Sequence, residues 1–375
     1  MNKLNIGYIS DQYLPRTSTD TQQITSMISA FGLIGHRVTL LIPVKKEAEK
    51  RTADKLAEYY DVKQTFNVSH HRMRFSVFRG FEKLWYALKL ACLNQIREDF
   101  DVIYSRNLPI VLAFVLFTDK PVIYETYRNW PEQNKLMIPI FKLLKSKRNF
   151  LGIVTHSKLA HDSYKKMGFC TNRILVAHNG VWPERFPKNI NVDEARKKIN
   201  VDTTGIIATY AGRVNKEKGL TVVLKMAKKI PEITFWIIGS EKKGEIERDS
   251  KEISNVRIFP WQPIKSLPTY LFASDILIIP PSSNPLEKVG NTVLPMKTFM
   301  YMASQKPIFA PKNLDILEVL KDGQNAVLVE PENMKEIEKK FSALVLDAGL
   351  RNKIAKNAFD DVSHMTWNER ARKIG

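Results

Sequence analysis

Residues 206–219 have the sequence Ile206-Ile-Ala-Thr-Tyr-Ala-Gly212-Arg213-Val-Asn-Lys-Glu-Lys218-Gly219. The apolar first part predicts a buried parallel strand, Gly212 ends that strand, and an amphipathic helix follows over 220–229. Turn amides and a helix N-terminus carry partial positive charge, and Arg213 can bind phosphate oxygens through two hydrogen bonds. Because Lys218 follows in the same turn, the turn suits a diphosphate. An ordinary loop with solvated charges has the same features, so the turn alone leaves both interpretations open.

The length and composition of the chain indicate a globular protein of two domains. Its 375 residues suit two α/β domains, and 44% hydrophobic with 26% charged residues is not the composition of a disordered chain. No apolar run approaches the roughly 20 residues that a membrane-spanning helix needs. Strand-like residues follow Met1-Asn2-Lys3 directly, so we expect no signal peptide. Cys92 and Cys170 have no metal or redox spacing, which favours the cytoplasm and predicts no metal site.

The net charge of +19 is unevenly distributed along the chain. Residues 1–190 contain 29 Lys and Arg against 16 Asp and Glu, whereas residues 191–375 contain 29 against 23. A basic first half attracts phosphate groups, whether on nucleic acid or on anionic lipid. No motif combines the basic residues with stacking aromatics, so we expect no nucleic-acid partner.

The first half predicts a doubly wound α/β sheet. A strand at 4–9, a helix through 24–31 and a strand at 38–42 form a βαβ unit. This unit lacks the GxGxxG fingerprint of dinucleotide-binding domains. Further strands are expected at 101–104, 121–124 and 151–155. Their alternation with helices is typical of a parallel sheet covered on both faces.

Two basic, apolar-rich stretches in this half suit either a membrane surface or the protein core. They are His70–Arg79, followed by a predicted helix over 81–97, and Lys135–Arg148. Both mix Lys and Arg with large apolar residues, the composition of segments that lie at a membrane interface. Alternatively, their apolar sides face the sheet and only the cations face water. The presence of both stretches in one basic half favours the membrane surface.

The second half predicts another parallel α/β domain of similar size. A Pro-rich, charged passage after Asn179-Gly180 is typical of a domain linker. The strands expected after it lie at 206–211, 233–238, 256–259, 276–279, 307–310 and 326–329. Helical or loop sequence follows each of them, as in the first half.

Segments in order along nearly the whole chain resemble the retaining glycosyltransferase family GT4 (glycosyl transferases group 1), which has the GT-B fold. They are Gly35-His36-Arg37-Val38-Thr39, Gly152–Ser157, Ile174–Val181, Gly212-Arg213-x-x-x-x-Lys218-Gly219, Ala273-Ser274-Asp275, Pro295–Ala303 and Thr366–Ala371. The resemblance implies two Rossmann-like parallel-sheet domains facing a central cleft. The expected domains are 1–182 and 183–358, with a terminal helix at 359–375 that returns to the first domain.

The resemblance also implies an activity. A retaining enzyme of this kind would move a hexose or N-acetylhexosamine from a nucleotide-diphosphate sugar onto a hydroxyl group. The acceptor would be a glycan or a lipid-linked molecule at the cytoplasmic face of an anionic membrane. No metal or other cofactor is expected, because Arg213 and Lys218 would neutralise the phosphates.

The resemblance assigns the sugar donor to the second domain. Arg213 and Lys218 would stabilise the leaving group, a role that fits the negative charge building on the β-phosphate. The further donor-binding residues that it implies are Gly212, Trp261, Ile264, Met296, Lys297 and Thr298. The helix that begins near Met296 would add backbone amides to the phosphate site. The loop at 260–264 would lie along the base.

The chain departs from the family in the donor loop, where relatives commonly have two glutamates eight residues apart. Alignment on Tyr301-Met302-Ala303 places Thr292 and Met300 at these positions, and neither can act as a carboxylate. Asn291 is a further candidate donor contact, and Glu287 either supplies a carboxylate or is an exposed loop acid. A catalytically weakened GT-B scaffold or partner subunit that binds nucleotide or glycan without turnover is therefore the alternative function.

In the first domain, the resemblance points to residues at strand ends and in the first βα loop. Glu125 occupies the place of a strand-end histidine. It would orient a sugar hydroxyl or assist deprotonation of the acceptor, or else make structural hydrogen bonds. Arg106 and Arg128 would either meet an acceptor phosphate or be solvated. Asp20 and Thr21 occupy the position of a glycine loop that approaches the diphosphate in relatives.

Overall fold

The computed structural model describes residues 3–46, 49–73, 81–186, 191–201, 205–241, 244–283 and 294–375. The chain forms two compact units, Met1–Asn179 with Trp367–Gly375, and Gly180–Thr366. The boundary expected after residue 182 therefore lies three residues earlier. The returning segment begins at Trp367 and not at residue 359, because residues 359–362 complete a helix of the second unit.

The first unit is built on a sheet of seven parallel strands. They are β1 (Asn5–Ile9), β2 (Arg37–Val44), β3 (Asn67–Arg72), β4 (Val102–Ser105), β5 (Val122–Thr126), β6 (Phe150–Thr155) and β7 (Ile174–Val176). Their order is β3-β2-β1-β4-β5-β6-β7. The helices are α1 (Thr19–Leu33), α2 (Ala53–Tyr60), α3 (Phe81–Ala91), α4 (Asn94–Asp99), α5 (Leu108–Phe117), α6 (Trp130–Gln133), α7 (Ile138–Ser146) and α8 (Lys158–Lys166).

The edge strand β3 corrects the interpretation of the first basic stretch. It pairs in parallel with β2, His70 opposite Ile42 and Arg72 opposite Val44. Its inner residues are half-buried, without the apolar alternation that would have predicted a strand. Residues 70–72 are thus part of the sheet, and residues 74–79 lie outside the described residues.

The single helix expected over 81–97 is two helices, α3 and α4. Leu93 separates them with an extended backbone, at φ −79° and ψ 114°. The Leu93 side chain packs against the apolar core of the first unit. Because Leu93 packs into the core with an extended backbone, α3 ends before it and α4 begins after it.

The second unit is built on a sheet of six parallel strands. They are β8 (Ile207–Ala211), β9 (Thr234–Ser240), β10 (Val256–Pro260), β11 (Ile276–Ile278), β12 (Ile308–Pro311) and β13 (Val327–Val329). Their order is β10-β9-β8-β11-β12-β13, and each begins and ends within two residues of its predicted bounds. The helices are α9 (Val192–Lys198), α10 (Leu220–Lys229), α11 (Glu245–Asp249), α12 (Leu267–Phe272), α13 (Met296–Ala303), α14 (Met334–Leu346) and α15 (Ala348–Val362).

The last helix of the chain, α16 (Trp367–Ile374), belongs to the first unit. It packs on α1, and Trp367 and Ala371 are buried there. Arg370 on the same helix is also buried, at 4% exposure. A buried charged side chain needs polar partners, and Arg370 has an ion-pair partner at the end of β5.

Asp315, in the segment after β12, carries a buried carboxylate that gives a testable pH dependence. It is fully buried, and within the described part of the unit neither carboxylate oxygen has a well-formed hydrogen bond. Burial raises the pKa of Asp315 to about 7, against the weaker lowering by the backbone amides of Ile316 and of Asp315 itself. The folded chain therefore holds a proton that the unfolded chain releases near pH ~4.

Replacing Asp315 with asparagine is expected to stabilise the protein by about 2 kcal/mol at pH 8. The aspartate form is most favourable below the unfolded pKa and loses stability as the pH rises through about 7. The advantage of Asp315→Asn should therefore shrink as the pH falls towards about 4. Urea unfolding of both proteins at several pH values measures this, and a difference that does not change with pH would contradict it.

Candidate functional site

In the second unit, a tight glycine turn lies at the carboxyl edge of the sheet. All strands are parallel, so the loops after β8, β10 and β11 leave the sheet at this edge, where parallel α/β sheets bind ligands. The turn after β8 begins at Gly212, with φ +146°, and ends at Gly219, with φ +73°. A Cβ on Gly219 would lie 2.5 Å from the Cβ of Ser282. Conformation and close packing therefore both require glycine at the end of this turn.

Lys297, the second residue of α13, reaches this turn. Its Nζ lies 3.7 Å from the centroid of the Tyr210 ring. The same atom would be 2.7 Å from a Cβ on Gly212, so the glycine leaves room for the ammonium group. The hydroxyl of Tyr210 donates to the carbonyl of Arg213 at 2.7 Å. Tyr210 thus links the lysine to the backbone of the turn.

The cations at this turn repel one another. Burial and then the charge of Lys218 lower the pKa of Lys297 well below its usual value. Burial and then the charge of Arg213 lower the pKa of Lys218, against an opposing effect of Glu217. In the described part of the second unit, none of the three cations forms a salt bridge. A diphosphate would supply the missing negative charge and favour the charged form of both lysines.

The start of α13 supports the donor assignment only in part. Met296 and Lys297 are partly exposed and belong to the first turn, whose amides have no partner within the helix. Thr298 is fully buried, and its amide already donates to the carbonyl of Pro295 at 3.0 Å. The structure therefore corrects the prediction that the Thr298 amide binds the phosphates, because this N–H group already has an acceptor within the protein.

The other predicted donor residues have different placements. Trp261 and Ile264 follow β10 at the same carboxyl edge and are partly exposed, and the Trp261 amide donates to Ser240 at 2.9 Å. Met300 packs against the apolar core of the second unit. Glu287, Asn291 and Thr292 lie outside the described residues, so their roles stay predictions.

The first unit contains a cavity of about 320 Å³ at the carboxyl ends of β1, β4 and β5. Its lining includes four of the predicted residues, Asp20, Arg106, Glu125 and Arg128. Thr21 does not line it. Three of the four predicted residues have protein partners within the first unit, and these partners decide what each can do.

Glu125, in β5, is fully buried and ion-paired. Its Oε1 accepts hydrogen bonds from Gln23 Nε2 at 2.5 Å, His156 Nε2 at 2.6 Å and Arg370 Nη2 at 2.7 Å. Burial would raise the pKa of Glu125, but Arg370, His156 and then Arg106 outweigh it and hold the pKa well below its usual range. A carboxylate with a low pKa is a poor proton acceptor. The contacts therefore favour the structural role of Glu125 over the catalytic one.

His156 supports Glu125 as a neutral hydrogen-bond donor. Burial lowers the pKa of His156 to about 4, against the opposing effect of Glu125. The ring is therefore uncharged at neutral pH. Because ionised Glu125 has no proton to give, Nε2 of His156 is the donor. The charge of Glu125 is balanced by Arg370 and not by His156.

Arg106 and Asp20 bind each other at the rim of the cavity. Nη2 of Arg106 lies 3.2 Å from Oδ1 of Asp20, and Nη1 donates to Gln23 Oε1 at 2.6 Å. Burial would lower the pKa of Arg106, but Asp20 and then Glu125 raise it above its usual value. The charge of Arg106 is thus compensated inside the first unit.

Thr21 stabilises the start of α1 and does not face the cavity. It is fully buried. Its hydroxyl lies 3.0 Å from the carbonyl of Arg16 and 2.9 Å from that of Ser18. The acceptor-side assignment of Thr21 is therefore corrected, since its hydroxyl serves the helix N-terminus.

The lining residues that the sequence prediction missed include Asp11, Lys83, Tyr127 and Trp130. Lys83 Nζ lies 2.6 Å from Asp11 Oδ2. Asp11 closely follows β1, and a polar residue at a carboxyl strand end is a signal that the sequence offers. Lys83 comes from α3, and only the tertiary fold brings it to Asp11. Tyr127 and Trp130 flank Arg128 in the sequence.

Over the described ranges, no group of three or more His, Cys, Asp or Glu side chains is arranged to hold a metal ion. Cys92 and Cys170 are free and exposed.

Comparison with known proteins places the glycine turn and α13 within one family match. Residues 191–361 match the family model described as glycosyl transferases group 1. The chain is 26% identical over 280 residues to an uncharacterized 41.2 kDa protein in the cps region of Klebsiella pneumoniae, covering 72% of this chain and 67% of that one. It is 22% identical over 276 residues to the sulfoquinovosyl transferase SQD2 of Arabidopsis thaliana, covering 72% of this chain and 51% of the relative.

A solved structure matches almost the whole chain. It is that of Anabaena Alr3699/HepE in complex with UDP and glucose, with a TM-score of 0.76 and 14% sequence identity. The match covers 99% of this chain and 98% of that one. At this identity the likeness establishes the fold.

Proposed function

We propose that this chain, which is a glycosyltransferase with the GT-B fold, uses a nucleotide-diphosphate sugar as its donor. It transfers a hexose or N-acetylhexosamine, with retention of configuration, to a hydroxyl group of a glycan or lipid-linked acceptor. The observation that carries the proposal is the group of three cations around Gly212 that lacks a counterion in the described part of the second unit. The family match includes all of these residues.

The three cations have a clear chemical task in this reaction. When the bond between the sugar and the β-phosphate breaks, the bonding electron pair stays on the diphosphate. Arg213, Lys218 and Lys297 stabilise that charge, and the two lysines act more strongly because they are partly buried. Because three cations neutralise the phosphates, the proposal includes no metal ion. The HepE structure, in complex with UDP and glucose, supports a uridine nucleotide as the first donor to test.

We also propose that the enzyme binds peripherally to the cytoplasmic face of an anionic membrane. Helix α3 exposes Phe81, Leu84 and Trp85, by 62%, 41% and 50%, at a helical spacing that places them on one face. Lys89 on the same helix is also exposed. An apolar face beside cations suits an anionic lipid surface. Within the described ranges, no helix has both the length and the hydropathy to cross a membrane.

The second basic stretch gives weaker support to this location. In α7, Phe141 and Leu144 are buried in the core of the first unit, while Lys142 and Lys145 are exposed. This is the structural arrangement that the sequence left open, with the cations facing water. Leu136, just before α7, and Leu143, within it, are exceptions, at 81% and 38% exposure.

Replacing Phe81, Leu84 and Trp85 together with serine is expected to reduce binding to anionic vesicles at least tenfold. Three partly exposed apolar side chains each contribute on the order of 1 kcal/mol on entering the interface. Vesicle sedimentation with and without phosphatidylserine measures the effect. A matched triple change on the polar side of α14, at Lys335, Glu338 and Lys339, is the control. If the α3 variant bound anionic vesicles as tightly as the wild type does, the proposed membrane location would be wrong.

The transfer itself is tested by incubating the protein with UDP-, GDP-, ADP- and TDP-sugars and measuring release of the nucleoside diphosphate. We expect one nucleotide class to be used, slowly with water and faster with an acceptor. Nuclear magnetic resonance of the product should show the anomeric configuration of the donor. An inverted anomeric configuration would contradict the retaining mechanism. If no donor released its nucleoside diphosphate, the proposed function would be wrong.

A further inference from the structure

The cavity of the first unit contains charged side chains that are paired, with one exception. Each acid has a cation beside it: Asp11 has Lys83, Asp20 has Arg106 and Glu125 has Arg370. Arg128 also lines the cavity and forms no salt bridge with any described residue. Among the described residues, Arg128 is therefore the cation of the lining that has no carboxylate paired with it.

The Arg128 guanidinium is held in place by aromatic rings. Its Cζ lies 4.7 Å from the centroid of the Trp130 ring and 5.6 Å from that of Tyr127. Trp130 is fixed in turn, because its Nε1 donates to the hydroxyl of Tyr124 at 2.9 Å. A guanidinium that stacks on ring faces keeps its N–H groups free in its own plane.

The backbone of Arg128 is fixed from both sides. Its amide donates to Oγ1 of Thr126 at 3.0 Å, and its carbonyl accepts from the hydroxyl of Tyr164 at 2.8 Å. A positioned cation loses little side-chain freedom when a ligand binds. Arg128 is therefore a preorganised, partly exposed cation, in contrast to Arg106, whose N–H groups are already used by Asp20 and Gln23.

We infer that the acceptor of this enzyme is anionic and that Arg128 binds its phosphate or carboxylate group. Both groups match the two parallel N–H donors of a guanidinium. Together with the charge balance of the cavity, this geometry selects a sugar acid, a sugar phosphate or a lipid phosphate over a neutral sugar. The inference rests on the proposed function, because it assigns the acceptor of the same transfer reaction.

The test measures the affinity of four probes by calorimetry: glucose, glucuronic acid, glucose 1-phosphate and farnesyl phosphate. At least one anionic probe should bind the wild type ten times more tightly than glucose does. The probe that does so distinguishes a soluble acid, a soluble phosphate and a lipid phosphate. Arg128→Ala should remove the preference, since a charged two-point contact contributes at least about tenfold in affinity.

Arg148→Ala is the matched control, because it removes an exposed arginine of the same unit. It should leave the preference intact. Should Arg128→Ala fail to fold, Arg128→Gln removes the charge at similar length and carries the same expectation. Equal affinity for glucose and every anionic probe, or a preference that survives in the Arg128 variant, would overturn the inference.

A parallel measurement separates this inference from the proposed function. The response of the melting temperature to nucleoside diphosphates depends on the second unit and should be the same in the wild type and both arginine variants. If that response is present but no anion preference is found, only the acceptor inference fails. If no nucleotide produces a response, the proposed donor chemistry fails as well.

Discussion

Lys218→Ala is expected to lower the kcat of nucleoside diphosphate release by about 100-fold to 1000-fold, the usual effect of removing one group that stabilises transition-state charge. Lys218 is partly buried near Arg213 and Lys297, and burial with repulsion lowers its pKa. Such a side chain destabilises the free protein slightly and becomes favourable when the phosphates develop charge. The variant should therefore lose activity without losing melting temperature.

The control for this experiment is Lys229→Ala. Lys229 is an exposed lysine at the end of α10, the helix that begins immediately after the turn. Its removal should change kcat by less than twofold, because it lies at the far end of that helix. Lys218→Arg should recover part of the rate, since it keeps the charge. If Lys218→Ala retained kcat within threefold of wild type, the cations would not have the proposed role.

Arg370→Ala is expected to destabilise the protein by about 3–5 kcal/mol, because it leaves the buried carboxylate of Glu125 without its cation. Arg370 Nη2 lies 2.7 Å from Glu125 Oε1, and both side chains are almost inaccessible. Nε of Arg370 also donates towards the carbonyls of Ala177 and His178, at 3.2 and 3.0 Å. The substitution therefore breaks the main polar attachment of α16 within the first unit.

Urea unfolding measures this effect, with Arg372→Ala as the control. Arg372 pairs with Glu369 on the exposed side of the same helix, and surface pairs contribute about 0–1 kcal/mol. The double variant Glu125→Gln with Arg370→Leu removes both charges and should be more stable than Arg370→Ala alone. A loss of less than about 1 kcal/mol for Arg370→Ala would show that Glu125 has another counterion.

The sequence predicted the fold well where strands are buried on both faces. Such strands are continuous apolar runs, as at 206–211, and their signal does not depend on distant residues. The edge strand Asn67–Arg72 is different, because its half-buried polar residues have no apolar period. The break between α3 and α4 was not predictable for a similar reason. The local sequence suits one helix, and the break depends on the packing of Leu93 in the core.

The sequence predicted those parts of the candidate site that lie in one local segment or that the family resemblance assigned. Arg213, Lys218 and Lys297 come together as expected, although Lys297 is distant from the turn in sequence. Charge pairing in the first unit was not predictable. Glu125 and Arg370 are 245 residues apart, and nothing local indicates that one neutralises the other.

The measurement that tests the central claim most directly is a thermal-shift screen with UDP, GDP, ADP, TDP and CMP on the wild type and on Arg213→Ala. A ligand at 100 times its Kd should add about 2.7 kcal/mol of stability to the protein that binds it. We predict that one nucleoside diphosphate raises the melting temperature of the wild type and that Arg213→Ala loses this response. The absence of a shift with any nucleotide would contradict a working donor site and favour the non-catalytic scaffold.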